Sequence, residues 1–213
     1  MIPSVDYHDY VIKEGRFIGA FEEMYRRCAD PWHQDSVQPV SEDLALALLA
    51  RQSYADVLDL GCGKGRFTDR LHRSTRATVR ALDLSETAVQ AAGARYPGIE
   101  FAAREIPPIP FGDAQFDLVV AAELLWYVLP KLSELFLETR RVLKEGGQFL
   151  ILQTFYPAGR QLYGREILDG PETLIRKLPF RVLHHVELDW LTNPKLVLLC
   201  EKPRLTLSRS ASS

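Results

Sequence analysis

From Asp56 onward the chain alternates short apolar runs with stretches whose apolar residues recur every three or four positions. The apolar runs predict strands at Asp56–Leu60, 78–84, 99–103, Phe116–Ala122 and 148–154. Between them lie predicted helices. One spans 65–73 with Phe67 and Leu71 inward; a second follows Ser85 through Ala88, Ala91 and Ala92 to Tyr96-Pro97-Gly98. A third spans 131–143 and ends at Glu145-Gly146-Gly147. Strands alternating with helices predict a parallel sheet covered on both faces. The pattern then changes to a short helix over 171–178 and strands over 180–188 and 196–201, which read as a closing antiparallel pair. Ahead of the sheet, Phe17, Ala20, Phe21, Met24 and Tyr25 recur at helical spacing. That helix should stop before Asp30-Pro31, because a residue preceding proline avoids the α region. After a polar loop, Ser41 reads as the cap of a second helix with acids in its first turn. The organisation expected is a helical cap over 1–53, a sheet domain over 54–203 and a polar, serine-rich, disordered tail over 204–213.

Composition narrows the classes. With 213 residues and 46% hydrophobic content the chain can bury one full core. Lysine plus arginine number 26 against 28 acids, interspersed, so no basic stripe points to nucleic acid. Cys28, Cys62 and Cys200 are odd in number and widely spaced, as expected of reduced thiols and not of disulfides or a metal cluster. Residues 1–15 carry Asp6, His8, Asp9, Lys13 and Glu14, so no apolar leader is expected. No apolar run approaches the roughly 20 residues a membrane span needs. These features predict a soluble, cytoplasmic protein.

The candidate chemistry sits after the first strand, at Asp59-Leu60-Gly61-Cys62-Gly63-Lys64-Gly65. Glycines there allow positive φ and close approach of backbone to a ligand. A dinucleotide turn places its third glycine where this chain has Arg66. Asp59 would be costly to bury without a polar partner, and an acid at that place suits a ligand bearing an ammonium group. Asp83 ends the second strand about 20 residues further on, where a carboxylate can accept from both ribose hydroxyls of an adenosine ligand.

The glycine segment resembles the first motif of the class I S-adenosylmethionine-dependent methyltransferases, and three further segments match that family in order. Arg104-Glu105-Ile106 through Phe111 is similar to its adenine-contacting stretch, with Glu105 where Asp is commoner and Ile106 as the apolar residue. Phe116 through Glu123 resembles its fourth motif, whose small residues, here Ala121 and Ala122, leave room for the methionine part of the cofactor. Leu143-Lys144-Glu145-Gly146-Gly147 resembles the family's Leu-x-Pro-Gly-Gly. The resemblance implies a doubly wound α/β Rossmann-like sheet of seven strands, six parallel and one antiparallel, with an N-terminal helical lid. It implies S-adenosylmethionine as cofactor, held by Trp32, Asp59, Gly61, Cys62, Gly63, Asp83, Leu84, Glu105, Ile106, Ala121 and Ala122. Asp30-Pro31-Trp32 and the pair Trp126-Tyr127 resemble the nodulation N-methyltransferase type of small-molecule methyltransferase. One aromatic of that pair should wall the acceptor pocket. From this follows the expected acceptor, an amino sugar or related small amine, with Glu123, Tyr127 or His33 as the candidate group taking its proton. Lys64 and Arg66 read as a solvated turn and a helix start. Transfer to a hydroxyl or carboxylate stays open, as do a non-catalytic cofactor binder, a nicotinamide dehydrogenase, and the choice between monomer and homodimer.

Overall fold

The computed structural model describes residues 7–32, 39–157, 160–188 and 193–204. A 3-10 turn at Tyr7–Asp9 leads into a small hairpin, β1 (Ile12–Lys13) and β2 (Arg16–Phe17), then helices α1 (Phe21–Arg27) and α2 (Val40–Leu49). The alternating part follows as β3 (Asp56–Leu60), α3 (Arg66–Thr75), β4 (Thr78–Asp83), α4 (Glu86–Arg95), β5 (Glu100–Ala103) and β6 (Phe116–Ala122). After two 3-10 turns come α5 (Leu132–Val142), β7 (Leu143–Thr154), α6 (Pro171–Lys177), β8 (Arg181–Leu188) and β9 (Lys195–Glu201). The main sheet runs β5-β4-β3-β6-β7-β9-β8. Only β9 is reversed, antiparallel to both β7 and β8, so six strands share one direction as expected.

Side-chain alternation along the strands splits the core in two. Phe149 and Ile151 of β7 and Leu196, Leu198 and Cys200 of β9 point to the face covered by α5 and α6. Leu150, Leu152, Val197 and Leu199 point to the other, under α2 and α3. Each such leucine or phenylalanine, wholly out of water, contributes about 1.5–3 kcal/mol. After β3 the chain winds outward through β4 and β5, then returns to place β6 on the other side of β3. That reversal opens a crevice at the carboxyl ends of β3 and β6, the usual ligand site in open α/β sheets.

Three expectations about elements are corrected. The helix expected from Phe17 begins at Phe21, because Gly19 takes φ 72 and Phe17 pairs with Ile12 in the hairpin. Ser41 does not cap α2; Pro39, extended at φ −70 and ψ 132, is the N-cap, and Ser41 is buried inside the first turn. Glu145-Gly146-Gly147, expected to end a helix, lies within β7: Leu143 already pairs with Phe116 and a bulge separates that pair from Leu118↔Gln148. The expected tail falls almost wholly outside the described residues. Among the described residues, no helix is long and apolar enough to cross a membrane.

Candidate functional site

The turn after β3 is fixed by backbone bonds. The amides of Gly61 and Cys62 both donate to the Leu82 carbonyl, at 2.8 and 3.0 Å. Gly61, Gly63 and Gly65 take φ of 74, 55 and 79. A Cβ on Gly65 would lie 2.8 Å from the Phe101 ring, so this glycine also lets α3 start against β5. Asp83 is held at both oxygens: Gly63 N donates to Oδ2 at 2.8 Å and Ser85 N to Oδ1 at 2.9 Å. Burial pushes its carboxyl above the usual range, against the pull of those two amides. The lone pairs left over face a cavity of about 790 Å³, a size typical of small-molecule sites.

The sequence-predicted residues divide in two. Trp32, Gly61, Gly63, Asp83, Leu84 and Ala122 line the cavity, and so do Glu105, Ile106, Glu123 and Tyr127. Asp59, Cys62 and Ala121 do not; they lie behind the turn and the strand, each under one-tenth exposed. Asp59 finds its polar partner in Thr68, whose hydroxyl donates at 2.6 Å. Burial, with Asp83 and Glu42 nearby, pushes the Asp59 carboxyl up to about 7. Cys62 is a small buried filler whose thiol burial pushes well up, so it is no reactive group. His33 lies outside the described residues.

Glu123 has an unusual place for a non-glycine residue, at φ 54. Its carboxylate accepts from Thr154 N at 2.8 Å and Thr154 Oγ1 at 2.7 Å, with Lys195 Nζ 3.7 Å away. It ties the end of β6 to the end of β7 while remaining partly exposed to the cavity. Tyr127, expected as a candidate base, is corrected: burial, with the Glu123 charge, drives its phenol far above neutral pH, leaving it a donor and a wall. Its ring meets Phe21 edge-on at 5.1 Å and Trp32 at 5.8 Å. Trp126 also borders the cavity but is mostly buried, packing against Phe155 and donating to the Thr154 carbonyl. Glu105 turns its side chain to Lys131 at 2.8 Å, on the surface, and that pairing holds its carboxyl low.

Three features escaped the sequence. Trp32 Nε1 donates to Tyr25 Oη at 2.7 Å, and Tyr7 packs on Trp32 at 5.0 Å, so the N-terminal segment walls the cavity with rings. Glu22 of α1 accepts from Ser85 Oγ and Thr87 Oγ1, both at 2.6 Å, and these bonds pull its carboxyl down to about 2. Arg66 does start α3, as expected, but it and Lys64 are part-buried and engaged. Lys64 donates to the Ala29 carbonyl and sits over the Tyr25 ring, while Arg66 pairs with Glu42 across 2.5 Å. Most of these partners lie tens of residues apart, so nothing periodic in the sequence announces them.

Residues 58–151 match the family described as methyltransferase domain. The malonyl-[acyl-carrier protein] O-methyltransferase of Salmonella typhimurium is 35% identical over 132 residues, 60% of this chain and 51% of that protein. The fatty-acid O-methyltransferase of Mycolicibacterium smegmatis is 31% identical over 141 residues, 62% of this chain and 49% of that protein. The chain thus spans about half the length of these curated relatives. Among solved structures, the N-methyltransferase NodS from Bradyrhizobium japonicum WM9, in complex with S-adenosyl-L-homocysteine, superposes with TM-score 0.72 at 22% identity over 86% of this chain and 98% of that one. With six strands parallel, one reversed, and the glycine turn and Asp83 facing the crevice, this chain carries a class I S-adenosylmethionine-dependent methyltransferase domain.

Proposed function

We propose that the protein methylates a small molecule, by preference the nitrogen of an amine, an amino sugar being the first acceptor to test. The observation that carries this reading is one cavity with two unlike ends. At one end stand the glycine turn and Asp83; at the other, aromatic rings and a single fixed carboxylate, Glu123. S-adenosylmethionine, when bound, supplies a methyl group activated by its sulfonium. The residues lining the cavity fit such a group: Asp83, set by two amides, would accept from ribose hydroxyls, Leu84 and Ile106 would hold the adenine, and Gly61 and Ala122 would leave room for the rest.

At the other end the chain's own residues bind, orient and exclude water. Tyr7, Phe21, Trp32 and Tyr127 attract a cationic amine by cation–π contact and dry the chamber. Glu123, already pinned by Thr154, offers its remaining lone pairs to an N–H. It takes the ammonium's proton, which frees the nitrogen lone pair that attacks the methyl carbon, and it aims that nitrogen; an in-line displacement needs alignment more than strong acid–base power. The N-terminal segment acts as a lid, latched by Glu22 onto the start of α4.

A second reading, transfer to a carboxylate or hydroxyl oxygen, draws on Lys195, whose ammonium stands beside Glu123, and on the printed names of the O-methyltransferase relatives. A panel of amines and carboxylic acids, each incubated with methyl-labelled cofactor, separates the two. The amine reading expects base-stable N-methyl products and a KM raised about tenfold or more by Glu123→Gln. Base-labile methyl esters, with activity lost in Lys195→Gln and kept in Glu123→Gln, would replace it with the second.

A further inference from the structure

Lys195 opens β9 and lies directly opposite Thr154 of β7, so the two side chains stand on one side of the sheet, and both reach Glu123. All three residues line the cavity. Thr154 holds the Glu123 carboxylate by one bond to each oxygen, from its amide at 2.8 Å and its hydroxyl at 2.7 Å. Lys195 Nζ stands 3.7 Å from the same carboxylate, an ion pair too long for a hydrogen bond. Its donors meet no acceptor at bonding distance among the described residues, although the side chain is only 28% exposed. The pair is therefore fixed at its anionic end and unsatisfied at its cationic end, with both groups open to the cavity.

Charge balance gives that asymmetry a consequence. At rest the pair is neutral. When an ammonium proton passes from nitrogen to a Glu123 oxygen, Lys195 loses its counter-charge in a chamber walled by rings, where water screens it less than in bulk. The freed lone pair then forms the N–C bond as the bond from methyl to sulfur breaks, its electron pair returning to sulfur. A neutral acceptor leaves the lysine charge uncompensated through these steps. An acceptor with its own carboxylate replaces the anion that Glu123 gives up and satisfies the idle donors with a charge-assisted bond.

We propose that the acceptor is an amine bearing a carboxylate close to its nitrogen, and that Lys195 receives this carboxylate and selects for it. The proposal rests on the amine reading above and narrows it: an amino sugar is preferred in its acid form. Because Glu123 and Lys195 stand so close, the nitrogen and the carboxylate must sit on the same carbon or on adjacent ones.

The test uses methyl-labelled S-adenosylmethionine and two matched pairs, glycine against glycinamide and glucosaminic acid against glucosamine. In whichever pair is methylated, wild-type kcat/KM should favour the acid by about tenfold or more, with a base-stable product. Lys195→Gln should bring that ratio to within about threefold of one, and Lys195→Arg should restore most of it. The wild-type ratio decides the matter even if a variant folds poorly. Equal use of acid and neutral partner, or a preference that survives Lys195→Gln, would overturn the proposal and leave the amine reading standing. A base-labile product from the acids would overturn it too, since the carboxylate would then lie at the methyl. No transfer to nitrogen in any compound would strike the amine reading itself, and this inference with it.

Discussion

The two ends of the cavity are built by different means. At the sheet rim, from Val57 to Asp83, the cavity is bordered by a glycine turn whose amides bond back to Leu82 and Asp83 and by one carboxylate fixed by amides. Across from it, residues 7–32 and 39–49 form a small hairpin and two short helices; side chains tie them down, Glu22 on Ser85 and Thr87 and Arg66 on Glu42, while Trp32 bonds to Tyr25 within the segment. Backbone geometry tolerates few substitutions, because positive φ and close approach require glycine. Side-chain walls tolerate many. The contrast teaches that the rim depends on backbone geometry and the opposite wall on side-chain identity, so under the proposed function acceptor chemistry becomes a question for the N-terminal segment.

Two buried or latched acids sharpen the contrast most. Asp59, under the rim, has its carboxyl raised from 3.8 to about 7. The folded form therefore holds a proton more tightly than the unfolded one, so this group's contribution to stability falls as pH rises from about 4 to about 7 and stays low above that. Asp59→Asn should abolish that decline and stabilise the protein at pH 8 by up to about 4 kcal/mol, read from urea melts of both proteins at pH 5 and pH 8. Equal pH slopes in the two proteins would mean Asp59 is not strained. At the same rim, Gly61→Ala should cost about 2 kcal/mol, because φ 74 disfavours a side chain and its Cβ would press on Leu124 at 2.9 Å. The same melts check it, and an unchanged midpoint would undo the argument from backbone.

The N-terminal side should respond more gently. Glu22 has its carboxyl lowered from 4.5 to about 2 by its hydroxyl donors. Its contribution is present above about 4.5 and is lost as pH falls through 2, the opposite sign to Asp59. The side chain is about one-third exposed, so after solvent screening Glu22→Gln should cost about 1 kcal/mol. Hydrogen exchange of the α1 amides should quicken while β3 stays protected; uniform quickening would show that the latch serves the whole fold. The smallest effect expected is from Tyr127→Phe. Its phenol is held protonated, so kcat/KM should change less than about threefold, whereas loss of a proton acceptor would cost about a hundredfold or more.

The same division governs what the sequence disclosed. Strands β3 and β6 fall at the expected residues, because a short, mostly apolar run between turn residues suits a strand buried on both faces of a sheet. The turn and Asp83 were legible because they depend on residues near one another in the chain. The hairpin at 12–17 was not. Phe17, Phe21 and Tyr25 keep helical spacing, and only the positive φ of Glu14, Gly15 and Gly19 tells that the chain doubles back there. The bulge in β7 escaped for a like reason: Gly146 at φ 77 looks like a stop in the sequence, yet the strand resumes beyond it. Asp59 was expected to face a ligand. It faces Thr68 instead, because the residue at that strand position lies beneath the turn and not on it. Arg66 starts α3 as the sequence indicates, but its ion pair with Glu42, 24 residues earlier, is revealed by no local pattern.

The central claim is that an adenosyl ligand lies across the rim on the carboxylate that ends β4. Isothermal titration of S-adenosylhomocysteine into wild type and Asp83→Ala, with NAD as the competing ligand, tests it most directly. The account predicts one-to-one binding by the wild type, no displacement by NAD, and a loss of about a hundredfold in the variant with its melting curve intact. Equal affinity in both proteins, or displacement by NAD, would contradict it.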